Sequence, residues 1–315
     1  MNYKANTAKK IAFLKIIRTL LLTAGIFFIA VLISQGWQEI RHILKETKPG
    51  LFLLSILFAV TGNLILSILF RNSLRKYGHE ITIRMTNKLF FYGQIAKYVP
   101  GKIWSIVLQK SFLEKAGSTS AILFSNIDLM AISIIINATI ALCLILFNIS
   151  LVFPLLIYVT GGIACLIVSR SRLIYTLARA ILIKFKQLGG IPSLHKDGAS
   201  SSMFIALYYS TIWFCYLIAW FLVISASFGL SIRESSVYIA FLGLSWIVGT
   251  LAFFVPAGMG VREGVFIVLA RYAGIDASIE TLTSIAVITR IWLMLQELGG
   301  AGIVFLWNLN KDASP

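Results

Sequence analysis

The chain has 315 residues, of which 58% are hydrophobic and only 13% are charged, and its mean hydropathy is +0.89. The charged fraction is about half that of soluble proteins, so polar side chains are too few to cover an apolar core in water. The formal net charge of +16 is dispersed over short segments between apolar runs, which excludes a nucleic-acid-binding module. We therefore predict an all-α, polytopic helix bundle in a membrane.

A membrane span needs about 20 apolar residues to cross a hydrocarbon core of ~30 Å. The first apolar run follows four lysines, as in a signal peptide, but it is long and no A-x-A-like cleavage site follows it. We interpret this run as a retained span. The six predicted spans are Ile16–Ile33, Leu51–Phe70, Ser120–Ile145, Leu151–Val168, Met203–Phe228 and Thr281–Trp307.

Two further apolar regions, Asn87–Phe112 and Ser235–Tyr272, are interrupted by Pro100-Gly101 and by Pro256. Proline and glycine break helices, and irregular backbone at membrane depth is tolerated only inside protein or along a wet cavity. We predict that both regions are re-entrant helical hairpins. They divide a single transmembrane domain, residues 1–315, into halves 1–168 and 169–315.

The distribution of basic residues predicts the orientation of the chain. The segments 1–18, 71–116, 169–202 and 308–315 carry 21 of the 28 Lys and Arg residues, whereas the segments 34–50, 229–235 and 262–280 carry 6. Cytoplasmic loops are enriched in basic residues. Both termini are therefore predicted to lie in the cytoplasm, on the inner side of a cytoplasmic membrane.

The two broken regions resemble one another. Residues 93–101 (GQIAKYVPG) and 249–257 (GTLAFFVPA) are identical at four of nine positions, at a constant spacing of 156 residues. Three predicted spans separate them, so they should face the membrane from opposite sides. This pattern is typical of inverted repeats in secondary transporters, in which broken helices meet near the midplane. Chance similarity between apolar segments is the alternative.

In the second region, Pro256, Gly258 and Gly260 precede Arg262 and Glu263. A helix that starts after such a turn presents free N–H groups and a positive dipole end, which suit a phosphate or a carboxylate. Arg262 is a candidate for bidentate binding of a phosphate, and Glu263 suits the first helical turn. Alternatively, the two residues only cap and tether the hairpin.

The first region places Lys97, Tyr98, Lys102 and Trp104 around its break. Two lysines near a head-group plane suit an anionic lipid phosphate. Lysines that snorkel to the cytoplasmic surface beside an aromatic belt are an equally good interpretation.

Three further charged residues, Asp128, Arg290 and Glu297, lie within predicted spans. A bare charge at membrane depth costs at least a few kcal/mol, so Arg290 needs a partner, and Asp128, Glu263 and Glu297 are the candidates. Such pairing either holds the bundle together or lines a substrate path. The three cysteines lie singly in apolar runs, and no motif indicates a catalytic residue, a metal site or a cofactor.

Residues 92–104 (YGQIAKYVPGKIW) resemble the G-Q-x-A-[KR]-Y-x-P-G-x-[IV]-W motif of the flippase-like membrane family, which includes the transmembrane region of lysylphosphatidylglycerol synthase, the multiple peptide resistance factor. Residues 256–264 (PAGMGVREG) resemble the family's P-G-G-[LI]-G-x-R-E-[GA] motif, with Ala257 in place of its first glycine. Residues 290–292 fall where the family often has an Arg-rich helix start. The resemblance covers essentially the whole chain.

This resemblance implies a polytopic bundle with two re-entrant segments that moves lipid between leaflets, or that serves lipid-linked glycan and cell-envelope pathways. We expect no counterpart of the synthase's soluble domain, so lysine transfer from tRNA is not expected. The leading hypothesis is a non-enzymatic protein that binds and flips an anionic phospholipid or lipid-linked glycan. The alternatives are a membrane-embedded transferase acting on polyprenyl-phosphate-linked sugar and an assembly subunit that recruits an envelope biosynthesis enzyme.

Overall fold

All regular secondary structure in the described part of the computed structural model is helical. The described ranges are 47–99, 103–113, 118–147, 152–170, 202–252 and 255–312, with isolated positions elsewhere. These ranges contain nine α-helices, one short 3-10 turn and no strand. The helices are α1 Pro49–Lys76, α2 Ile83–Ala96, α3 Ile103–Phe112, α4 Ser118–Phe147, α5 Val152–Arg170, α6 Ser202–Phe228, α7 Ile232–Leu251, α8 Val261–Tyr272 and α9 Ile279–Asp312.

Several helices begin at residues whose chemistry favours a helix start. Helix α1 opens with Pro49, whose missing N–H is not needed in the first turn. The side chain of Thr82 accepts a hydrogen bond from the backbone N–H of Met85 and caps α2. Ser231 and Glu234 form a capping box at the start of α7. These local signals set where the helices begin along the chain.

Five described helices, α1, α4, α6, α7 and α9, are long and apolar enough to cross a membrane. Four of them contain the predicted spans 51–70, 120–145, 203–228 and 281–307, which confirms an integral membrane protein. The predicted span 151–168 overlaps α5, an apolar helix of 19 residues that is not one of these five. The predicted first span, Ile16–Ile33, lies outside the described ranges.

Helix α7 is the first arm of the second broken region. It runs for 20 residues, and its length and hydropathy are those of a complete crossing. The reason lies in the position of the break, because the interruption begins only at Ala252 and the helix tolerates Gly243 and Gly249 within it. The re-entrant course of both broken regions stays a prediction.

The breaks themselves lie where the sequence predicts them. Helix α2 ends at Ala96 and α3 begins at Ile103, while α7 ends at Leu251 and α8 begins at Val261. In each region the two helices pack against one another. Helix α1 packs along α6, α4 packs against α5 and α7, and α9 contacts α1, α2 and α8. The last helix therefore lies against both broken regions.

Glycines at the same repeat position lie at the contact within each helix pair. A Cβ atom on Gly93 of α2 would lie 2.5 Å from Gln109 Nε2 and 3.2 Å from Ser105 Oγ, both on α3. A Cβ atom on Gly249 of α7 would overlap the side chain of Arg262 on α8. In both regions, the absence of a side chain at this position lets the second helix approach the first.

Candidate anion-binding site

The break between α7 and α8 contains a tight turn immediately before the start of α8. Pro256–Gly258 form a 3-10 turn, followed by Gly260, which has φ 73° and precedes α8 as its N-cap. Gly258 has φ 70°, and Ala257 also has a positive φ of 48°. Within the described part of the chain, no side chain caps the N-terminus of α8. Its first backbone N–H groups therefore remain available to an acceptor.

Arg262 lies in the first turn of α8, and its side chain crosses the turn that precedes it. A Cβ on Gly258 would lie 3.0 Å from Arg262 Nε, and one on Gly249 would lie 2.9 Å from the same atom. The guanidinium carbon is 5.5 Å from the ring centroid of Trp246, which is within cation–π range. Arg262 Nε is buried without a hydrogen-bond partner, and no ion pair joins Arg262 to the described residues.

Glu263 is the partner of Arg290. Arg290 Nη1 lies 2.9 Å from Glu263 Oε1, which joins α9 to α8. The other carboxylate oxygen of Glu263 and Nη2 of Arg290 are buried without hydrogen-bond partners among the described residues. Of the three carboxylates that the sequence offered as partners of Arg290, Glu263 is therefore the one that pairs with it. Each of the two side chains keeps one buried polar atom without a hydrogen-bond partner among the described residues.

Lys97 lies immediately after α2 and forms the second ion pair with α9. Its Nζ is 2.5 Å from Glu297 Oε1 and 2.9 Å from Gln94 Oε1, to which it also donates. The Lys97 side chain is only 25% exposed and that of Glu297 only 11%, so Lys97 does not snorkel freely into solvent. Glu297 Oε2 is buried, and no described residue forms a hydrogen bond with it.

The two broken regions meet at Tyr98. This side chain is 2% exposed and packs in one buried cluster with Ala257 of the second break and Met294 of α9. Arg290 and Glu297 lie two turns apart on α9, as their spacing of seven residues predicted, and each pairs with a different broken region. Tyr98 and Ala257 therefore bring the two broken regions into contact with one another and with α9.

A small cavity of about 20 Å³ opens beside these charges. Arg262, Glu263 and Arg290 contribute to its wall together with aromatic side chains, including Trp220 and Trp246. This volume admits about one water molecule and no lipid head group. The structure therefore shows the charge cluster in a closed arrangement.

Asp128 belongs to a different network. Its Oδ2 accepts from Ser73 Oγ at 2.7 Å, Tyr77 Oη at 3.0 Å and Lys76 Nζ at 3.3 Å. Asp128 is 2% exposed and Lys76 is 9% exposed, so this is a buried ion pair between α1 and α4. Asp128 thus ties two spans together, and Arg290 is not its partner.

The remaining predicted residues have separate positions. Trp104 lies on α3, partly buried against the main apolar core rather than in the charge cluster. Pro100, Gly101 and Lys102 lie outside the described ranges. Pro256 opens the 3-10 turn, as predicted for a helix break.

Several residues of these networks are absent from the predictions made from the sequence. Lys76 lies beyond the predicted end of its span, although Ser73, Lys76 and Tyr77 have the i, i+3, i+4 spacing of one helix face. Trp246 is one of many apolar residues in its helix, and no sequence signal distinguishes it. Gln94 falls in the motif 93–101, next to the repeat position of Gly93, and this was the available signal.

An all-helical membrane bundle in which two interrupted helix pairs meet a charged last helix defines the class of this protein. The chain matches the family described as Lysylphosphatidylglycerol synthase TM region over residues 15–295, and it belongs to that family. No curated protein and no solved structure matches the chain.

Proposed function

We propose that this protein binds the phosphate of an anionic lipid or lipid-linked glycan between its two broken regions and helps that head group to cross the membrane, without catalysing a reaction. The observation that carries the proposal is Arg262, whose buried Nε has no hydrogen-bond partner and whose side chain forms no ion pair among the described residues. Leaving such a group unsatisfied at membrane depth is costly, and a phosphate would supply its acceptors.

The surroundings of Arg262 favour a phosphate over an apolar ligand. The uncapped start of α8 adds backbone N–H donors and a positive dipole end within one turn of this side chain. Lys97 and Arg290 add two cations to the cluster, against the carboxylates of Glu263 and Glu297. The excess of one positive charge suits an anionic ligand.

The fold supports transport as the role of this binding. Interrupted helices that converge from two halves of a chain are the usual construction of a transporter binding site. We place this protein in the cytoplasmic membrane of a cell-envelope pathway, with both termini in the cytoplasm. The closed cavity corresponds to one state of a cycle in which the site opens to admit its ligand.

The alternatives make different demands on the carboxylates. A transferase that used a metal would need several of them together, but Asp128, Glu263 and Glu297 each pair with a different cation, and the described residues include no group of three potential metal ligands. An assembly subunit would need no specific lipid. An assembly subunit does not explain why Arg262 lacks an ion-paired partner, whereas a transferase would use Arg262 for the phosphate of its own substrate and is distinguished by turnover of that substrate.

Native mass spectrometry of the protein extracted with its own lipids tests the binding. We expect one phosphate-bearing lipid to be retained by the wild type and lost, by about tenfold or more in occupancy, from Arg262→Ala. Arg271→Ala removes the same charge from the exposed end of the same helix and should retain the lipid. Equal lipid content in both variants, or only bulk phospholipid in the wild type, would overturn the proposal.

Transport is tested after reconstitution. We expect vesicles that contain the wild type to exchange a fluorescent phosphatidylglycerol between leaflets, measured as the fraction that an impermeant quencher reaches. Arg262→Ala should slow this exchange to the rate of protein-free vesicles, and Arg271→Ala should match the wild type. Lipid binding without exchange between leaflets would support the proposed lipid site and contradict the proposed transport role.

A further inference from the structure

Two ion pairs fasten both broken regions to the same helix. Lys97, directly after α2, is held by Glu297, and Glu263, at the start of α8, is held by Arg290. Glu297 and Arg290 lie two turns apart on α9. Any movement that separates the broken regions from α9 therefore has to break these two pairs.

Both pairs are incomplete. Each carboxylate uses one oxygen, and Glu263 Oε2 and Glu297 Oε2 are buried without hydrogen-bond partners among the described residues. The donors Arg290 Nη2 and Arg262 Nε are likewise buried without hydrogen-bond partners among the described residues. An arginine bound by one carboxylate oxygen forgoes the stronger bidentate geometry. A phosphate oxygen could therefore improve on what these carboxylates provide.

The cavity leaves no room for a ligand beside Glu263 and Arg290. Its volume is about 20 Å³ while these two residues line its wall. A phosphate group does not fit into the volume of one water molecule. A head group that reaches Arg290 through this cavity therefore requires the Glu263 carboxylate to move.

We propose that Glu263 and Glu297 are internal counter-ions that occupy Arg290 and Lys97 in the empty protein and are displaced by the phosphate of the ligand. This inference rests on the proposed function and adds its regulation. Displacement frees both broken regions from α9 in one step and so links ligand binding to opening. In the absence of ligand the carboxylates keep the cations neutralised and the path closed.

Displacement predicts that weaker pairs give tighter ligand binding. Dihexanoyl phosphatidylglycerol is the lipid ligand to titrate into the detergent-solubilised protein by calorimetry, and inorganic phosphate is the free-anion ligand. We expect Glu297→Gln and Glu263→Gln to bind the lipid roughly tenfold more tightly than the wild type, because a competing negative charge is removed nearby. Glu280→Gln removes a charge from the exposed start of α9 and should leave affinity unchanged.

Glu297→Asp keeps the charge and shortens the side chain. It separates direct competition from a general electrostatic effect, and it remains usable if the Gln variants fail to fold. We expect it to bind the lipid a few-fold more tightly, since the net charge is the same and only the pair is weakened. Unchanged or weaker binding by Glu297→Asp would overturn the displacement model.

The same titrations distinguish failure of this inference from failure of the proposed function. If Arg262→Ala weakens lipid binding while the Glu variants leave it unchanged, the binding site stands and the displacement model is wrong. If Arg262→Ala binds as the wild type does, the site itself is wrong. Equal tightening for inorganic phosphate and the lipid assigns the ligand as a free anion, whereas tightening for the lipid alone assigns a lipid head group.

Discussion

The side chain of Arg262 crosses the backbone of Gly249 so closely that a methyl group on Gly249 would overlap it. Gly249 belongs to α7 and Arg262 to α8, on either side of the break. Gly258, in the turn between these helices, also lies against the Arg262 side chain, since a Cβ atom on Gly258 would be 3.0 Å from Arg262 Nε. The position of the unpartnered guanidinium is thus determined by two glycines rather than by an acidic partner.

Replacing Gly249 should therefore displace Arg262 and impair anion binding. We expect Gly249→Ala to lower affinity for dihexanoyl phosphatidylglycerol by about tenfold, since the overlap lies at the base of the side chain rather than at its flexible end. Gly243→Ala makes the same change two turns earlier in α7, where the nearest atom to the new Cβ is at 3.4 Å. Calorimetry on the two variants checks the prediction, and equal affinities would show that Gly249 has no part in the site.

The ion pair between Lys76 and Asp128 should contribute to stability and not to ligand binding. Asp128→Asn leaves a buried ammonium without a counter-ion, and we expect the free energy of unfolding to fall by roughly 3–5 kcal/mol. Denaturant titration of the detergent-solubilised protein measures this loss. Lipid affinity of the folded fraction should match the wild type.

The control for this prediction lies one residue away on the same helix. Arg75 pairs with Glu80, whose side chain is 81% exposed. Glu80→Gln should change the free energy of unfolding by less than about 1 kcal/mol, because water screens exposed pairs. Comparable losses in the two variants would contradict a structural role specific to the buried pair.

Ala257 occupies a left-handed conformation that favours glycine. Its φ is 48°, and the related motif of the family has glycine at this position. A left-handed backbone conformation destabilises the folded state by roughly 1–2 kcal/mol for a non-glycine residue, and glycine removes this strain. Glycine also makes the unfolded chain more flexible, which offsets about 0.4–1 kcal/mol of the gain. We expect Ala257→Gly to raise the free energy of unfolding by up to about 1 kcal/mol.

Thermal unfolding in detergent measures this gain in stability. Ala270→Gly serves as a control for which the opposite change is expected. Ala270 is fully buried within α8, where glycine should lower the free energy of unfolding by about 1 kcal/mol. A decrease for both variants would show that contacts of the Ala257 methyl group, including those near Tyr98, outweigh the strain of its backbone.

The length of α7 makes the course of the second broken region testable. A re-entrant hairpin returns the exposed loop at Asp276 to the outside, whereas a complete crossing by α7 alone would bring it to the cytoplasm. We expect Asp276→Cys to react with a membrane-impermeant maleimide in intact cells and Glu80→Cys to react only after lysis. If Asp276→Cys reacted only after lysis, the predicted re-entrant hairpin would be wrong. The native cysteines are buried and serve as the unreacted background.

Sequence alone determined the class of protein, four of the described spans and the positions of both breaks. These properties are local, because a span depends on the length of an apolar run and a break depends on proline and glycine within a few residues. The family could also be recognised from the sequence, because its two motifs are short continuous stretches of residues. The spacing of Arg290 and Glu297 on one face of α9 followed from helix geometry.

Only the tertiary structure decided which charges meet. Arg290 had three candidate partners, and its choice of Glu263 depends on how α8 and α9 pack, which no local pattern contains. Lys97 and Glu297 are separated by 200 positions. Lys76, the partner of Asp128, lies where its helix extends beyond the predicted apolar run, so the sequence offered only Arg290 as a cation for Asp128. Ion pairs require a separation of a few ångströms, and that separation is set by helix packing over the whole bundle.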